Sequence, residues 1–442
     1  MAKRAKKGGA DFRYDTGEAR VPWAAVGESV SPEDVAELIR FLLPPAGGKE
    51  KAYDARFRRL AAELAKLRAV GGCAGKLTLG SRVQTLEAAV AKKLGVKHAV
   101  FLTNATAGFE IACKFAGLKP GDEVIAPAIT FIATIAYPLS IGAKVVLADV
   151  DRRTINMDPR DVARKITPRT KAIIPVHIGG YPVDMDPIMR LARRHGITVI
   201  EDAAHAFGAV YKGKAAGTIG HFGAFSFHEV KNVTSLGEGG ILVTNLACGR
   251  DLAKSRFLGL DMSRKIKNWL YDVVAVKGKG GPFAAGNHSA TEIQAVGLSS
   301  QIKRLGRIIA RRRAAAAYLN RRFGGVEGLI TPPADTARTR GTHHLYLLQV
   351  DHRSVGADVQ VLKQKLSGRG VVNVPHFAPL YKFSLMRQLG YDTRAIERTC
   401  PVAEEVFNHG FTHLPLYDLT DGQLRYMADA VIESLNEMKA GR

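Results

Sequence analysis

The chain has 442 residues, 46% of them apolar and 24% charged, which is ample for a large core and about two domains and unlike a fibrous or disordered polypeptide. Its formal net charge of +23 suits either an anionic, phosphorylated substrate or a highly solvated surface. No zinc-finger, helix-turn-helix or RNP-like pattern accompanies that charge, so the sequence argues against a nucleic-acid partner. The four cysteines, Cys73, Cys113, Cys248 and Cys400, are scattered without a CxxC pair, which argues against a disulfide framework and a structural zinc site and fits a reducing cytoplasm.

Residues 1–20 open with MAKRAKKGGA, have no apolar run to serve as a signal peptide, and read as a disordered basic tail. Ser31 and Pro32 then begin SPEDVAELIRFLL with an N-cap, a first-turn proline and early acids, which predicts a helix. After the break PPAGG, EKAYDARFRRLAAELAKLRAV predicts an amphipathic, strongly basic helix. From Val83 helix, strand and helix alternate, the pattern of a largely parallel sheet. HAVFLTNATAGFEIACKF reads as strand, turn and helix, so the amides of Ala105 and Thr106 and the Thr106 hydroxyl stand at a helix N-terminus, a ready phosphate site. The uncharged run over residues 124–143 is long enough to span a bilayer, but Pro127, Thr130, Thr134 and Pro138 within it predict strand, turn and buried helix instead. Asp158-Pro159 and Asp186-Pro187 each predict a cap with a first-turn proline, Gly196 ends the second of these helices, and His195 faces its dipole.

Residues 199–245 carry the chemistry. Asp202 closes an apolar strand, and the carboxyl ends of strands are where α/β sheets hold ligands. Lys231 falls in the loop between two further short strands, AFSF and GGILVTN. A lysine amine kept neutral by desolvation or a neighbouring cation forms a Schiff base with a carbonyl compound. A carboxylate held against a pyridine nitrogen keeps that nitrogen protonated, because an opposite charge at close range shifts a pKa by roughly 1–3 units. The ring then acts as an electron sink. On residue types alone, a capping Asp202 and a solvated Lys231 remain the alternative.

EDAAHAFGA, SFHEVKN and GEGG, in this order, resemble the core of the DegT/DnrJ/EryC1/StrS family of pyridoxal-phosphate-dependent sugar aminotransferases, and the likeness runs from about residue 75 to 435. The resemblance implies an α/β chain of fold type I (aspartate-aminotransferase-like), with a mostly parallel large-domain sheet and a smaller C-terminal α/β domain. It also implies pyridoxal 5′-phosphate as cofactor and a homodimer with shared active sites. By the same resemblance Lys231 is catalytic and bears the cofactor, Asp202 pairs with its ring nitrogen, and His205 lies beside the ring hydroxyl. Ser226 and the Ala105-Thr106 pair meet the phosphate, with Ala105 in place of the usual glycine, and Phe131 stacks on the ring. Asn287 begins a stretch that reaches into the neighbouring subunit's site, although His288 and Ser289 replace its usual aromatic and arginine. His376 falls on the substrate side. His177 and Gly180 fit the pattern as residues that hold the fold. Without the resemblance, Phe131 reads as a core aromatic and His376 as a structural histidine.

Relative to the family the basic helix within residues 50–70 looks like an insertion, either a surface or dimer contact or a lid. HLYLLQVD, ADVQVLKQKLSGRG and VVNVPHF predict strand, helix and strand, and Thr420 with Gln423 has capping-box spacing ahead of the last helix. The expected organisation is therefore the tail (1–20), N-terminal helices (21–75), a large cofactor domain (76–255), a helical connection and dimer segment (256–341) and a small C-terminal domain (342–442). The expected activity is transfer of an amino group from glutamate or glutamine to a keto sugar, nucleotide-linked, or a keto cyclitol, in amino-sugar, polysaccharide or secondary-metabolite biosynthesis, with no metal and no membrane. Family members with histidine at the lysine position are dehydratases, so Lys231 favours amine transfer. The alternatives are a dehydratase or lyase on this scaffold and a non-catalytic regulator that binds the cofactor.

Overall fold

The computed structural model describes residues 29–72, 76–261, 273–374 and 377–440, so the expected basic tail and His376 lie outside the described residues. By its contacts the chain divides into two compact units, residues 1–81 with 291–293, and residues 82–290 with 294–442.

In the first unit, Ser31 and Pro32 start helix α1 (Pro32–Leu42). The Ser31 hydroxyl accepts from the Asp34 amide at 3.2 Å and the Asp34 carboxylate accepts from the Ser31 amide at 2.8 Å, a reciprocal cap. Helix α2 (Glu50–Val70) meets it through an Arg40–Asp54 ion pair at 3.0 Å and through the Arg40 guanidinium, 5.1 Å from the Phe57 ring centre. The apolar residues of α2 recur at 53, 57, 60, 64 and 67, one stripe along the helix. Tyr53 and Phe57 stack at 5.8 Å, whereas Leu60 and Leu67 are exposed, and α2 buries no residue.

The second unit is built on seven strands. Helix α3 (Ser81–Leu94) leads to β1 (His98–Leu102), α4 (Ala105–Ala116), β2 (Glu123–Pro127), α5 (Ala133–Ser140) and β3 (Lys144–Ala148). There follow α6 (Pro159–Lys165), β4 (Thr170–Ile173), α7 (Met185–His195), β5 (Thr198–Asp202), the small hairpin β6 (Val210–Tyr211) and β7 (Lys214–Ala215), β8 (Phe222–Ser226) and β9 (Gly240–Thr244). The sheet order is β1-β9-β8-β5-β4-β2-β3, with β9 alone antiparallel to its neighbours. β2, β5 and β9 are buried at every position, as strands covered on both faces must be. The uncharged run is β2 followed by α5, which contains Pro138, and among the described residues no helix is long and apolar enough to cross a membrane.

Punctuation mostly falls where the residues predict it. Asp158 caps α6, and Gly196 ends α7 in the left-handed region at φ 66°. The start of α7 differs: its N-cap is Asp184, and Asp186 sits in the first turn. Both carboxylates are engaged across the chain, Asp184 by the Tyr211 hydroxyl and Asp186 by Lys212 at 2.5 Å, so tertiary partners displace the local cap. Thr420 and Gln423 do form the reciprocal cap, at 2.9 and 3.2 Å.

After the short helix α8 (Leu252–Arg256) and the ribbon β10 (Val276–Gly278) and β11 (Gly281–Phe283), helix α9 (Glu292–Phe323) ties two cores together. Its Ala295, Leu298, Leu305 and Ile309 pack with Phe225, Phe227 and Ile241, while Ala316, Leu319 and Phe323 pack with the second sheet. That sheet is antiparallel, β12 (Leu329–Ile330), β13 (Tyr346–Val350) and β14 (Phe411–Leu414), backed by helices Val359–Gly368 and Asp421–Ala440.

One close approach sets the end of the large sheet. Gly240 pairs with Leu102 on one side and Ser226 on the other, and a Cβ there would lie 2.2 Å from the Asn104 carbonyl carbon and 2.6 Å from the Ala105 nitrogen. Gly306, inside α9, has open space around it. Gly240→Ala is therefore expected to lose about 1–3 kcal/mol in urea unfolding through overpacking, and Gly306→Ala to gain up to about 1 kcal/mol through helix propensity. Equal effects at the two positions would contradict the close approach.

Candidate functional site

The carboxyl ends of β1, β5 and β8 and the start of β9 converge on one edge of the sheet, and the side chains there surround a cavity of about 340 Å³. Side chains alternate along a strand, so the two acids that close β5 face different ways. Glu201 is fully buried and accepts from the amides of Gly217, Ile219 and Gly220 at 2.8, 2.6 and 2.5 Å. Buried His177 lies 2.9 Å from Glu201 through Nε2, while its Nδ1 accepts from the Val183 amide at 3.0 Å. That acceptor role puts the hydrogen on Nε2, which donates to Glu201. The pair anchors the strand and the loop beside it, a structural role in keeping with the expectation for His177.

Asp202 points into the cavity. One carboxylate oxygen accepts from Thr134 Oγ1 at 2.8 Å and the other from the Ala204 amide at 3.1 Å, and Thr134 is itself 2.9 Å from the Thr130 hydroxyl. Burial pushes Asp202 above the usual carboxylate range, against the Thr134 and Ala204 hydrogen bonds and the Lys231 charge. Lys231 stands in the loop after β8, where its amide bonds the His228 carbonyl at 2.9 Å. Burial pushes its amine below the ordinary 10.5, against the carboxylates of Asp202 and Glu238. Desolvation thus favours the neutral form of both groups, which is the condition for a nucleophilic amine.

At another wall α4 begins. Asn104 caps it by accepting from the Ala107 amide at 2.9 Å. The amides of Ala105 and Thr106, which have no preceding helical turn to bond, lie at the positive end of the helix dipole. Ser226 completes this wall from the end of β8, its hydroxyl accepting from the His228 amide at 3.3 Å. Phe131 is 56% exposed and so is not a core aromatic. Its ring is 5.8 Å from Phe377, and the His205 ring is flanked by Phe377 at 5.9 Å and by His344 at 4.5 Å. His344 is held in turn by Asn232 at 3.1 Å.

Seven residues singled out from the sequence, Ala105, Thr106, Phe131, Asp202, His205, Ser226 and Lys231, therefore line one cavity. Asn287 is not among the lining residues: it is exposed, bridges to Phe257, and accepts the Ser289 amide at 3.1 Å. Its neighbour His288 approaches Glu110 at 3.4 Å, and together with Lys114, at 2.7 Å, it lowers that carboxylate to about 2. Sequence reasoning missed Asn104, Thr134, Glu238, His344 and Phe377. Asn104 had a signal, an N-cap residue ahead of the helix, whereas Thr134, in the first turn of α5, had none. His344 and Phe377 had none, since they arrive from the C-terminal third of the chain.

The site thus offers amide donors for an anion, a buried amine for a carbonyl carbon, flat rings, and a carboxylate for a basic nitrogen. Comparisons agree with this chemistry. The profile of the DegT/DnrJ/EryC1/StrS aminotransferase family matches residues 61–432. The chain is 37% identical to the spore coat polysaccharide biosynthesis protein SpsC of Bacillus subtilis over 83% of this chain and 92% of that protein. It is 35% identical to the GDP-perosamine synthase of Caulobacter vibrioides, over 74% and 84% of the two chains. Among solved structures, Spr1654 from Streptococcus pneumoniae, described as a sugar aminotransferase, superposes in its PMP-form with a TM-score of 0.73 at 26% identity, covering 83% of this chain and 94% of that one, and it also exists in a PLP-form. The chain belongs to the DegT/DnrJ/EryC1/StrS aminotransferase family and is a fold-type-I, pyridoxal-phosphate-dependent aminotransferase.

Proposed function

We propose that this enzyme moves an amino group from glutamate or glutamine to the carbonyl carbon of a nucleotide-linked keto sugar, working as a cytoplasmic homodimer. The observation that carries the reading is the neutral-leaning Lys231 amine in one cavity with the buried Asp202 carboxylate and the α4 N-terminus. The similarity to a GDP-perosamine synthase and to a polysaccharide biosynthesis protein supports a nucleotide-linked sugar as the acceptor.

The residues fit pyridoxal phosphate by their chemistry. A buried carboxylate with a single donor on each oxygen is stabilised by one further cationic N–H, which suits Asp202 to the ring nitrogen. The amides of Ala105 and Thr106 and the hydroxyls of Thr106 and Ser226 suit the phosphate. Phe131 suits one face of a flat ring and His205 the ring hydroxyl. When bound, the cofactor supplies an aldehyde that condenses with amines and a protonated ring that draws electron density from the adjoining carbon. Lys231 Nζ, once displaced by the amino donor, takes the proton from the donor's α-carbon and delivers it within the same site. The donor leaves as its 2-oxo acid, and the keto sugar receives nitrogen and proton by the reverse sequence. In this reading Asn287 serves the partner subunit's site and His376 the sugar.

Two outcomes check these roles. Lys231→Ala should leave no amino sugar detectable by mass spectrometry from glutamate and a nucleotide-linked keto sugar, and full turnover by that variant would remove Lys231 from the chemistry. Asp202→Asn should raise the melting temperature of the cofactor-free protein by a few degrees at neutral pH. The sign follows from burial: with its folded pKa raised, the Asp202 carboxylate costs stability above that value and nothing below the unfolded 3.8, so the gain should vanish as pH falls to that point. Pyridoxal phosphate should then stabilise the variant less than the parent. A variant that melts lower at neutral pH and gains as much from the cofactor would contradict the role of Asp202.

A further inference from the structure

His205 follows Asp202 in the loop after β5, and in the proposed function its ring meets the ring hydroxyl of the cofactor. Rotation about the last side-chain bond of a histidine is broad rather than staggered, so an imidazole that presents one edge to a ligand needs neighbours that fix its plane. Two rings do so here. Phe377 lies 5.9 Å away with its plane at 11° to that of His205, and His344 lies 4.5 Å away at 30°. Both histidines are buried, and both line the catalytic cavity.

The turn that carries His344 is fixed at each of three consecutive residues. Thr342 donates its hydroxyl to the His205 carbonyl at 2.6 Å and its amide to the Gly180 carbonyl at 3.0 Å. Gly180, at φ 86°, leaves room for that contact, because a Cβ there would collide with the Thr342 hydroxyl and lie 2.7 Å from the His205 carbonyl oxygen. His343 sits in the left-handed region at φ 47°, uncommon for a residue with a side chain. Asp335 holds it there: its carboxylate is 3.1 Å from His343 Nε2 and 3.4 Å from the Arg313 guanidinium, and it accepts from the Gly341 amide at 2.8 Å. The His344 carbonyl accepts from Arg312, a buried guanidinium, at 3.3 Å. His344 Nδ1 donates to Asn232 Oδ1 at 3.1 Å, since an amide oxygen only accepts. Asn232 is buried and is the residue next to Lys231. Local backbone strain that the surroundings over-determine collects at functional sites.

We infer that His344 is a positioning residue: its ring fixes the plane of the His205 imidazole, and its bond to Asn232 ties that plane to the peptide that carries Lys231. The turn leading into β13 thereby sets His205 relative to Lys231, although the two arise from separate loops of the large sheet. The inference rests on the proposed cofactor site. It gives His344 no proton transfer of its own, since His344 acts through His205.

The experiment loads the protein with pyridoxal phosphate and measures cofactor affinity by equilibrium dialysis and visible circular dichroism per bound cofactor, a signal that an achiral chromophore gains only from a fixed asymmetric setting. His344→Ala should weaken binding several-fold and remove most of the visible dichroism, with the far-ultraviolet spectrum unchanged. In a His205→Ala background the same substitution should change neither quantity further, because residues that act through one another are not additive. His344→Phe, which fills the space and keeps a flat ring beside His205 should the alanine variant fold poorly, should fall between the parent and His344→Ala. Asn232→Ala should lower the dichroism of the parent and not that of His344→Ala. Unchanged affinity and dichroism in both His344 variants, or a full further loss when His344→Ala is added to His205→Ala, would overturn the positioning role; a loss from Asn232→Ala that is as large in His344→Ala as in the parent would overturn the tie to Lys231. Borohydride reduction of each sample separates these results from the cofactor assignment. Lys231 labelled throughout makes them a statement about His344, whereas a parent protein in which Lys231 is not labelled removes the cofactor site and this inference with it.

Discussion

Burying the Asp202 carboxylate is the constraint around which the site is arranged. A charged carboxyl group withdrawn from water costs several kcal/mol unless donors and an opposite charge meet it. Here Thr134 and the Ala204 amide supply one hydrogen bond to each oxygen, and Lys231 is the cation acting from across the cavity. Those partners do not bring the group back to its ordinary range. The residual cost makes the site receptive to a ligand that brings its own N–H cation. The same desolvation lowers the Lys231 amine, so a single physical cause prepares the acid and the amine for opposite tasks.

The fold delivers these groups by placing strand ends together. β5 ends at Asp202 and β8 at Ser226, and β9 begins at Gly240 beside Leu102 of β1. Because Gly240 has no side chain, the start of α4 can lie against the sheet, which brings the Ala105 and Thr106 amides to the cavity that holds Asp202. Beneath, Glu201 and His177 hold the loop beside β5 from the opposite face of the strand. The bend that leads into β13 lends His344 to the wall around His205.

Much of this was legible in the sequence because its signals are local. An acid after an apolar strand, a lysine in the loop between two strands, and small residues at a helix start each mark their own position, and their order resembles one family. The element pattern of the large domain follows from the same local punctuation. What was not legible depends on distant parts of the chain. The cap of α7 falls on Asp184 because Lys212 engages Asp186. His344 and Phe377 reach His205 across more than a hundred residues of sequence. Phe131 was readable as a core aromatic until its exposure and its place beside Phe377 set it at the cavity. The stripe of α2 was readable, but not that Leu60 and Leu67 on it stay exposed.

The most direct test of the central claim is to reduce the purified, pyridoxal-phosphate-loaded protein with borohydride and locate the modified lysine by peptide mapping. The account predicts one modified peptide, containing Lys231, and loss of the visible absorbance band when glutamate is added before reduction. Labelling of other lysines, or a labelled Lys231 whose band no amino donor alters, would contradict it.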